Sequence, residues 1–358
     1  MGASGLSPGV RGLIFIAVAL ALLLVASVVS IRTGSSGLST VRVLDALASG
    51  PPEPVPGASW LERLAFASFG SGATETTPDQ RIVWSLRLPR TLVAMLAGAA
   101  LAVSGVLLQG IMRNPLAAPN IVGLTSGASL AATLVLAVSG AGVHASLPAW
   151  AFVGAVLTGL VVYALSWQPG VGVTPIRLVL AGVAITAILT AVTTLVMITT
   201  GSAQAVTLWM AGSLGAVSWP DASTALPYVG VGLGLCLLLA RPLDLLQLGE
   251  DSARSLGTRV GLVRFGAIAL ASVLAGAAVA VSGPIGFIGL IVPHVTRLLI
   301  GPRHAWVIPC SALGGAALLT MADLVARALS EQVPVGIVTA LLGGPYFLLL
   351  LYRVRVLG

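Results

Sequence analysis

Eight stretches of this 358-residue chain are apolar over roughly the length that crosses a bilayer. They are Leu13–Ile31, Thr91–Ile111, Ala151–Trp167, Leu178–Thr199, Tyr228–Ala240 with its flank, Phe265–Ser282, Trp306–Ala328 and Ile337–Tyr352. In lipid every backbone donor and acceptor must pair internally, so such runs become helices or a closed barrel. A barrel needs units of about ten residues that alternate in polarity. These runs do not alternate. The expected class is therefore all-α, a polytopic membrane protein. Charged residues make up only 8%, against about 25% in soluble chains.

Breaks between and within the runs divide them into ten spans. Span 1 is Leu13–Ile31, and span 2 starts after "RLPR" (Arg87–Arg90) and ends near Gln109. Spans 3 to 5 are Ile121–Val138, Ala149–Trp167 and Pro175–Thr200. Spans 6 to 8 are Ser223–Ala240, Arg264–Ser282 and Ile285–Ile300. Spans 9 and 10 are Trp306–Leu329 and Val335–Tyr352. Residues 1–358 read as one transmembrane domain, with residues 32–86 as a long extramembrane connection rich in Pro and Gly. That connection holds a weakly amphipathic piece, Trp60–Phe69, expected to lie on the surface as a short helix. The segment "GSAQAVTLWMAGSLGAVSWPD" reads as a loop with at most one short helix. The first run is longer than a signal-peptide core of about 7–15 residues and lacks a clean A-x-A site, so it reads as a helix that stays.

All 18 basic residues are arginine. A phosphate-binding Walker A loop needs its lysine, so this chain cannot carry one. Any ATP-driven step would need a separate ATPase. The net charge of +7 calls for no nucleic acid, because cytoplasmic loops collect Arg. With the N-terminus inside, eleven arginines fall on the inner side and seven on the outer, five of those in the long connection. Long loops count for little in this rule. Both termini are thus expected in the cytoplasm. Cys236 and Cys310 lie in or beside apolar runs and read as small buried hydrophobes. His144, His294 and His304 show no metal-ligand spacing.

"LAGAALAVSG" (Leu96–Gly105) returns as "LAGAAVAVSG" (Leu274–Gly283), nine residues of ten alike at an offset of 178. The copies lie five spans apart, so they cross in opposite directions. That suggests an inverted repeat of spans 2–5 and 7–10, the plan of many transporters. Generic small-residue packing is the plainer alternative. Helix breakers cluster at corresponding places, in "MRNPLAAPN" (Met112–Asn120) and at Gly283, Pro284, Gly286, Gly289 and Pro293. Irregular backbone at membrane depth is tolerated where it lines a cavity or is buried in protein.

The charge that the chain avoids elsewhere gathers at "LGEDSARSLG", Leu248 to Gly257. A short helix between Gly249 and Gly257 is expected there. Glu250 and Asp251 suit its positive end, and Glu250 and Arg254 are an i,i+4 pair. A solvated loop held inside by its arginines explains the Arg but not the acids or the glycine brackets. A compact helix on the cytoplasmic face suits docking of another protein.

Five stretches carry a resemblance: "RLPRTLVAMLAGAALAVSGVLLQGIMRNPLAAPNIVGLTSGA", "LWMAGSLGAVSW", "LGEDSARSLG", "GPIGFIGLIVPHVTRLLIG" and "ADLVARAL" with "VPVGIVTALLGGPYFLLLL". From about Leu13 to Arg355 the chain resembles the permease subunit of ABC importers for iron–siderophore complexes, haem or cobalamin. The resemblance implies ten helices per chain, a second permease chain (identical or paralogous), and a path between the two in a bacterial cell membrane. It implies that Leu248, Gly249, Glu250, Asp251, Ser252, Ala253, Arg254, Ser255, Leu256 and Gly257 form the coupling helix held by the ATP-binding cassette ATPase. ATP and Mg would sit on that partner, with no cofactor on this chain and no catalysis by it. Arg87, Arg90 and Arg327 would face outward and receive acidic residues of an extracytoplasmic substrate-binding protein. From the residues alone, "RLPR" is equally an interfacial anchor, and Arg327 an i,i+4 partner of Asp323. Asn114, Pro115 and Leu116 match one gate segment, and Thr174, Pro175 and Ile176 the second, although "TPIR" departs from the polar gate of some members. Iron–siderophore is the first expectation for cargo, with haem and cobalamin next. An ion-coupled transporter would need intramembrane acids, and Asp323 reads as an Arg partner instead. A membrane enzyme would need His, Asp or Glu clustered at one face, and none is apparent.

Overall fold

The computed structural model describes residues 7–34, 38–70, 77–139, 147–169, 171–330 and 332–357. His144 lies outside the described residues, as do the side chains of Arg353 and Arg355, two of the eleven inner-side arginines. The first half of the chain forms α1 (Pro8–Arg32), α2 (Thr40–Ala48), α3 (Trp60–Phe69), α4 (Pro78–Arg81), α5 (Leu88–Met112), α6 (Leu124–Ser139), α7 (Leu147–Ser166) and α8 (Pro175–Thr200). The second half forms α9 (Ala203–Met210), α10 (Trp219–Leu238), α11 (Ala240–Gln247), α12 (Glu250–Ser255), α13 (Val260–Ser282), α14 (Ile288–Ile300), α15 (His304–Leu329) and α16 (Val335–Leu357). A two-stranded antiparallel hairpin, β1 (Trp167–Gln168) and β2 (Gly172–Val173), leads into α8.

Among the described residues, seven helices are long and apolar enough to cross a membrane: α1, the continuous Pro78–Met112 helix, α7, α8, α10, α13 and α15. The apolar parts of α6, α14 and α16 are shorter. The seven and the three shorter helices fall where the sequence suggests its ten spans. The boundaries have local causes. Proline opens α8, and Gly201 closes it with φ +67, a conformation that favours glycine. Arg113 ends α5 in the same left-handed region, at φ 48.

Span 2 differs from its expected start. "RLPR" does not break the chain. A π-helical turn, Ile82–Arg87, joins α4 to α5 into one helix from Pro78 to Met112. Pro89 cannot donate a backbone hydrogen bond and crowds the preceding turn. The wider π turn just before it absorbs that defect, with Leu88 N donating to Val83 O.

α5 and α13 form the buried centre. They pack on each other, α5 also on α15 and α13 also on α7. Small residues permit this closeness, as they do between helices in lipid generally. A Cβ at Gly98 would lie 2.2 Å from the Gly315 carbonyl oxygen, joining α5 to α15. One at Gly105 would lie 1.8 Å from the Gly289 carbonyl oxygen, joining α5 to α14. α8 is the opposite case. Its buried residues are Leu178, Gly182 and Thr193, and most of its apolar side chains are exposed.

At one end of α5 the connection between α1 and α5 forms a cap. Val43 and Ala46 of α2 pack on Val83 and Trp84 of the π turn. Trp84 Nε1 donates to the Ala46 carbonyl at 3.0 Å, and Trp219 Nε1 to the Trp84 carbonyl at 2.7 Å. Trp60 Nε1 reaches the Ser223 carbonyl at 3.3 Å. Three indoles thus tie the cap to itself and to α10.

Candidate functional site

The polar groups gather at the two ends of α5. The end near Arg113 carries α11 and α12. Gly249 opens α12 at φ +109 and Gly257 follows it at φ +82. Both values lie where L side chains are strained, which accounts for the glycine brackets. Glu250 and Asp251 occupy the first turn. Glu250 and Arg254 meet at 3.5 Å, the i,i+4 pair expected from sequence. Leu248 and Leu256 are 65% and 60% exposed, and Asp251, Ser252, Arg254 and Ser255 are exposed as well. Only Ala253 points fully inward.

Three polar ties hold this segment. Asp244 of α11 accepts from the His304 backbone at 2.8 Å and meets His304 Nδ1 at 2.6 Å. Gln247 Nε2 donates to the Gly110 carbonyl of α5 at 3.0 Å. Glu250 receives the guanidinium of Arg264 at 2.5 Å. Arg264, only 3% exposed, also donates to the Val173 carbonyl of β2. The hydrogen bond from Arg264 holds the Glu250 carboxyl below its ordinary pKa, helped by the charges of Arg264, Arg254 and Arg113 against partial burial. Burial pushes Asp244 up, but hydrogen bonds and charge from His304, with Arg303 nearby, leave its pKa lowered overall.

The two expected gate segments lie near the same end. Asn114 Oδ1 accepts from Leu116 N at 2.9 Å, a local turn around Pro115. Asn114 and Pro115 are exposed and Leu116 half-buried. Thr174 caps α8, Pro175 begins it, and Ile176 is 69% exposed.

At the capped end the three arginines are differently placed from the outward-facing charges expected. Asp323, 1% exposed, is held by both Arg90 (2.8 Å) and Arg327 (3.1 Å). Arg87 donates to the carbonyls of Ile31 and Arg32 at 2.7 and 2.9 Å. Arg327 donates to the Ser30 and Thr33 carbonyls at 3.1 and 2.8 Å and to Ser30 Oγ at 2.6 Å. Arg87 and Arg327 are thus buried and satisfy the last carbonyls of α1, where cations suit the helix dipole. Only the Arg90 side chain, 15% exposed, stays near the rim. The Asp323–Arg327 pairing at i,i+4 was legible in the sequence; the contribution of Arg90 was not.

This arrangement is a helical membrane bundle with a tethered, charged helix at one end, and residues 22–353 match the FecCD transport family. The chain belongs to that family. Among its relatives is the iron(3+)-hydroxamate import system permease FhuB of Bacillus subtilis, 41% identical over 78% of this chain and 73% of that protein. The cobalamin import permease BtuC of Halobacterium salinarum is 40% identical, covering 90% of this chain and 85% of its own. The hemin transport permease HmuU of Yersinia pestis is 42% identical, covering 79% and 86%. A solved metal-chelate type ABC transporter in an inward-facing conformation superposes with a TM-score of 0.78 at 30% identity, over 95% of this chain and 99% of that one. The chain is a multi-span membrane permease.

Sequence reasoning missed Arg264, His304 and Gln247 as ties of the α11–α12 segment. Arg264 carried one signal: an arginine at the head of an apolar span, buried, needs an acid.

Proposed function

We propose that this chain is the permease subunit of an ATP-driven importer and forms the membrane path for a metal chelate, iron–siderophore first. The observation that carries this reading is α12, an exposed charged helix bracketed by glycines, on a chain that matches the FecCD family throughout. The relatives named for iron–hydroxamate, hemin and cobalamin import support chelate cargo and leave its choice among those classes to experiment.

In this reading Leu248–Gly257 sits in an ATP-binding cassette ATPase, which carries ATP and Mg. This chain binds no cofactor and catalyses nothing. The α12 end and both termini face the cytoplasm of a bacterial cell. The capped end faces outward and meets the substrate-binding protein. Of the three arginines expected to dock there, Arg90 is the most accessible, and acids of the binding protein would compete with Asp323 for it, while Arg87 and Arg327 hold α1. A second permease chain, identical or paralogous, completes the path, with Asn114–Leu116 and Thr174–Ile176 as its inner gate. Spans 2–5 and 7–10 are read as an inverted repeat. The matched packing of α5 on α15 and α13 on α7 supports it. An ion-coupled mechanism gains no support from Asp323, whose carboxylate is taken up by two guanidiniums.

The test is co-purification with the ATPase, followed by ATP turnover and uptake of ferric hydroxamate, ferric citrate, haem and cobalamin in proteoliposomes with the binding protein. Arg254→Glu is the informative variant, since Arg254 is exposed and makes a long 3.5 Å pair with Glu250, which keeps its closer partner Arg264. Loss of ATPase association with the permease still folded is expected. Uptake of any cargo by the permease without an ATPase would overturn the reading.

A further inference from the structure

Arg264 joins α12 to the segment that leads into α8. Its guanidinium lies between Glu250 on α12 and the carbonyl of Val173, the residue two before the proline that opens α8. The side chain is almost fully buried, and its Nε has no acceptor among the described residues. A buried charge that loses a partner is costly, far more so than a surface charge. With Nε already unpaired, Arg264 cannot part cheaply from either remaining acceptor. Glu250, Arg264 and Val173 therefore favour moving as one unit.

The two ends of this unit are unequally held. α12 buries one residue, Ala253, and exposes the rest of its outer face. α8 buries little along its length, and its head is anchored chiefly by Leu178. Further along, α8 leans on the loop that follows Asn114. A Cβ at Gly182 would lie 2.5 Å from the Ile121 carbonyl oxygen and 2.9 Å from Val122 Cα. Backbone meets backbone there, without a compliant side chain between. Movement of the α8 head thus reaches the segment that carries Asn114 and Leu116. The other two ties of the α11–α12 segment, His304 on α15 and Gly110 on α5, lead to the packed interior instead.

We propose that Arg264 is a positioning residue that transmits displacement of α12 to the head of α8, and so to both gate segments. This rests on the importer reading, in which α12 is moved by an ATPase. It adds a named residue and a direction of transmission. Coupling claims need a measured coupling rather than proximity, so the experiment must separate movement of α12 from movement of α8.

The protein is the full importer assembled with its ATPase, in a background with Cys236→Ala and Cys310→Ala. Nitroxide pairs are placed at Ser255→Cys with Ser330→Cys, and at Ile176→Cys with Ser330→Cys. Distances are measured by pulsed electron resonance with and without ATP. In the parent both pairs are expected to shift. In Arg264→Lys, whose single ammonium cannot serve both acceptors as the planar fork does, the Ser255 shift should persist and the Ile176 shift should fall by at least half. Glu250→Gln, partly exposed and milder for folding, should act in the same direction. A full Ile176 shift in both variants would overturn the relay. Joint loss of both shifts with the ATPase still bound would also overturn it, reducing Arg264 to a prop for α12. An unlabelled parent that retains no ATPase would sink the importer reading itself, a result distinct from either.

Discussion

Replacing Gly105 by alanine tests whether the close crossing of α5 and α14 is a stabilising contact. The added Cβ would lie 1.8 Å from the Gly289 carbonyl oxygen, where contacts under 3.0 Å are essentially never tolerated. The helices would have to separate there by about 1.2 Å, an overpacking that costs about 1–3 kcal/mol. The same carbonyl accepts from Gln109 Nε2 at 3.2 Å, so separation also weakens a hydrogen bond worth about 0.6–1.7 kcal/mol in a membrane protein. Alanine returns about 0.5–1 kcal/mol through the unfolded chain and helix propensity. The net is about 2 kcal/mol of destabilisation. Gly230→Ala, on α10, is the control, because a Cβ there meets nothing within 4 Å. It should be neutral or stabilising. The assay is unfolding by a denaturing detergent, followed by tryptophan fluorescence. If the two variants unfold at the same detergent fraction, the crossing is not tight in the bilayer and the packing argument fails.

Three further outcomes follow from the polar ties. Asp323→Asn leaves Arg90 and the buried Arg327 without their carboxylate, and should cost about 3–5 kcal/mol; hydrogen exchange at Ser30–Thr33 should rise with it, and unchanged exchange there would remove the clamp from the account. Glu250 has a lowered pKa in the folded protein, so its ion pair contributes fully above the ordinary value of 4.5 and is lost as pH falls through the lower folded value. The anisotropy of a fluorophore at Ser255 should therefore stay flat down to about pH 4.5 and drop only below it. Trp219→Phe deletes the donor to the Trp84 carbonyl, a loss of about 1 kcal/mol, and should speed proteolysis of the cap about fivefold.

What the sequence made legible was local. The bounds of α8 were readable because Pro175 starts it and Gly201 stops it, and both signals sit at the ends themselves. Trp60–Phe69 and the glycine-bracketed α12 were readable for the same reason. The start of α5 was not. Pro89 signals a break, and only the geometry of the preceding π turn shows how the helix continues through it. Nor does likeness between the two copies of the repeated stretch fix what each residue does. Gly105 and Gly283 occupy the same position in the two copies, yet one serves a backbone crossing and the other ends a helix at φ +66. Long-range partners were least visible. Arg264 counted only as a charge that favours one side of the membrane, because Val173 lies 91 residues away. Arg87 and Arg327 could be assigned inward roles only once the end of α1 was placed beside them.

The helix from Pro78 to Met112 runs 35 residues, about 50 Å at the usual rise. The apolar interior of a bilayer is about 30 Å thick. The length beyond that thickness forms a stem, and α2 and the indoles of Trp84 and Trp219 are built onto it. Its other half is the most buried of the seven candidate spans among the described residues. A pull on the cap, by whatever grasps it, thus reaches the middle of the protein along a single rod, with no loop in between to absorb the stroke.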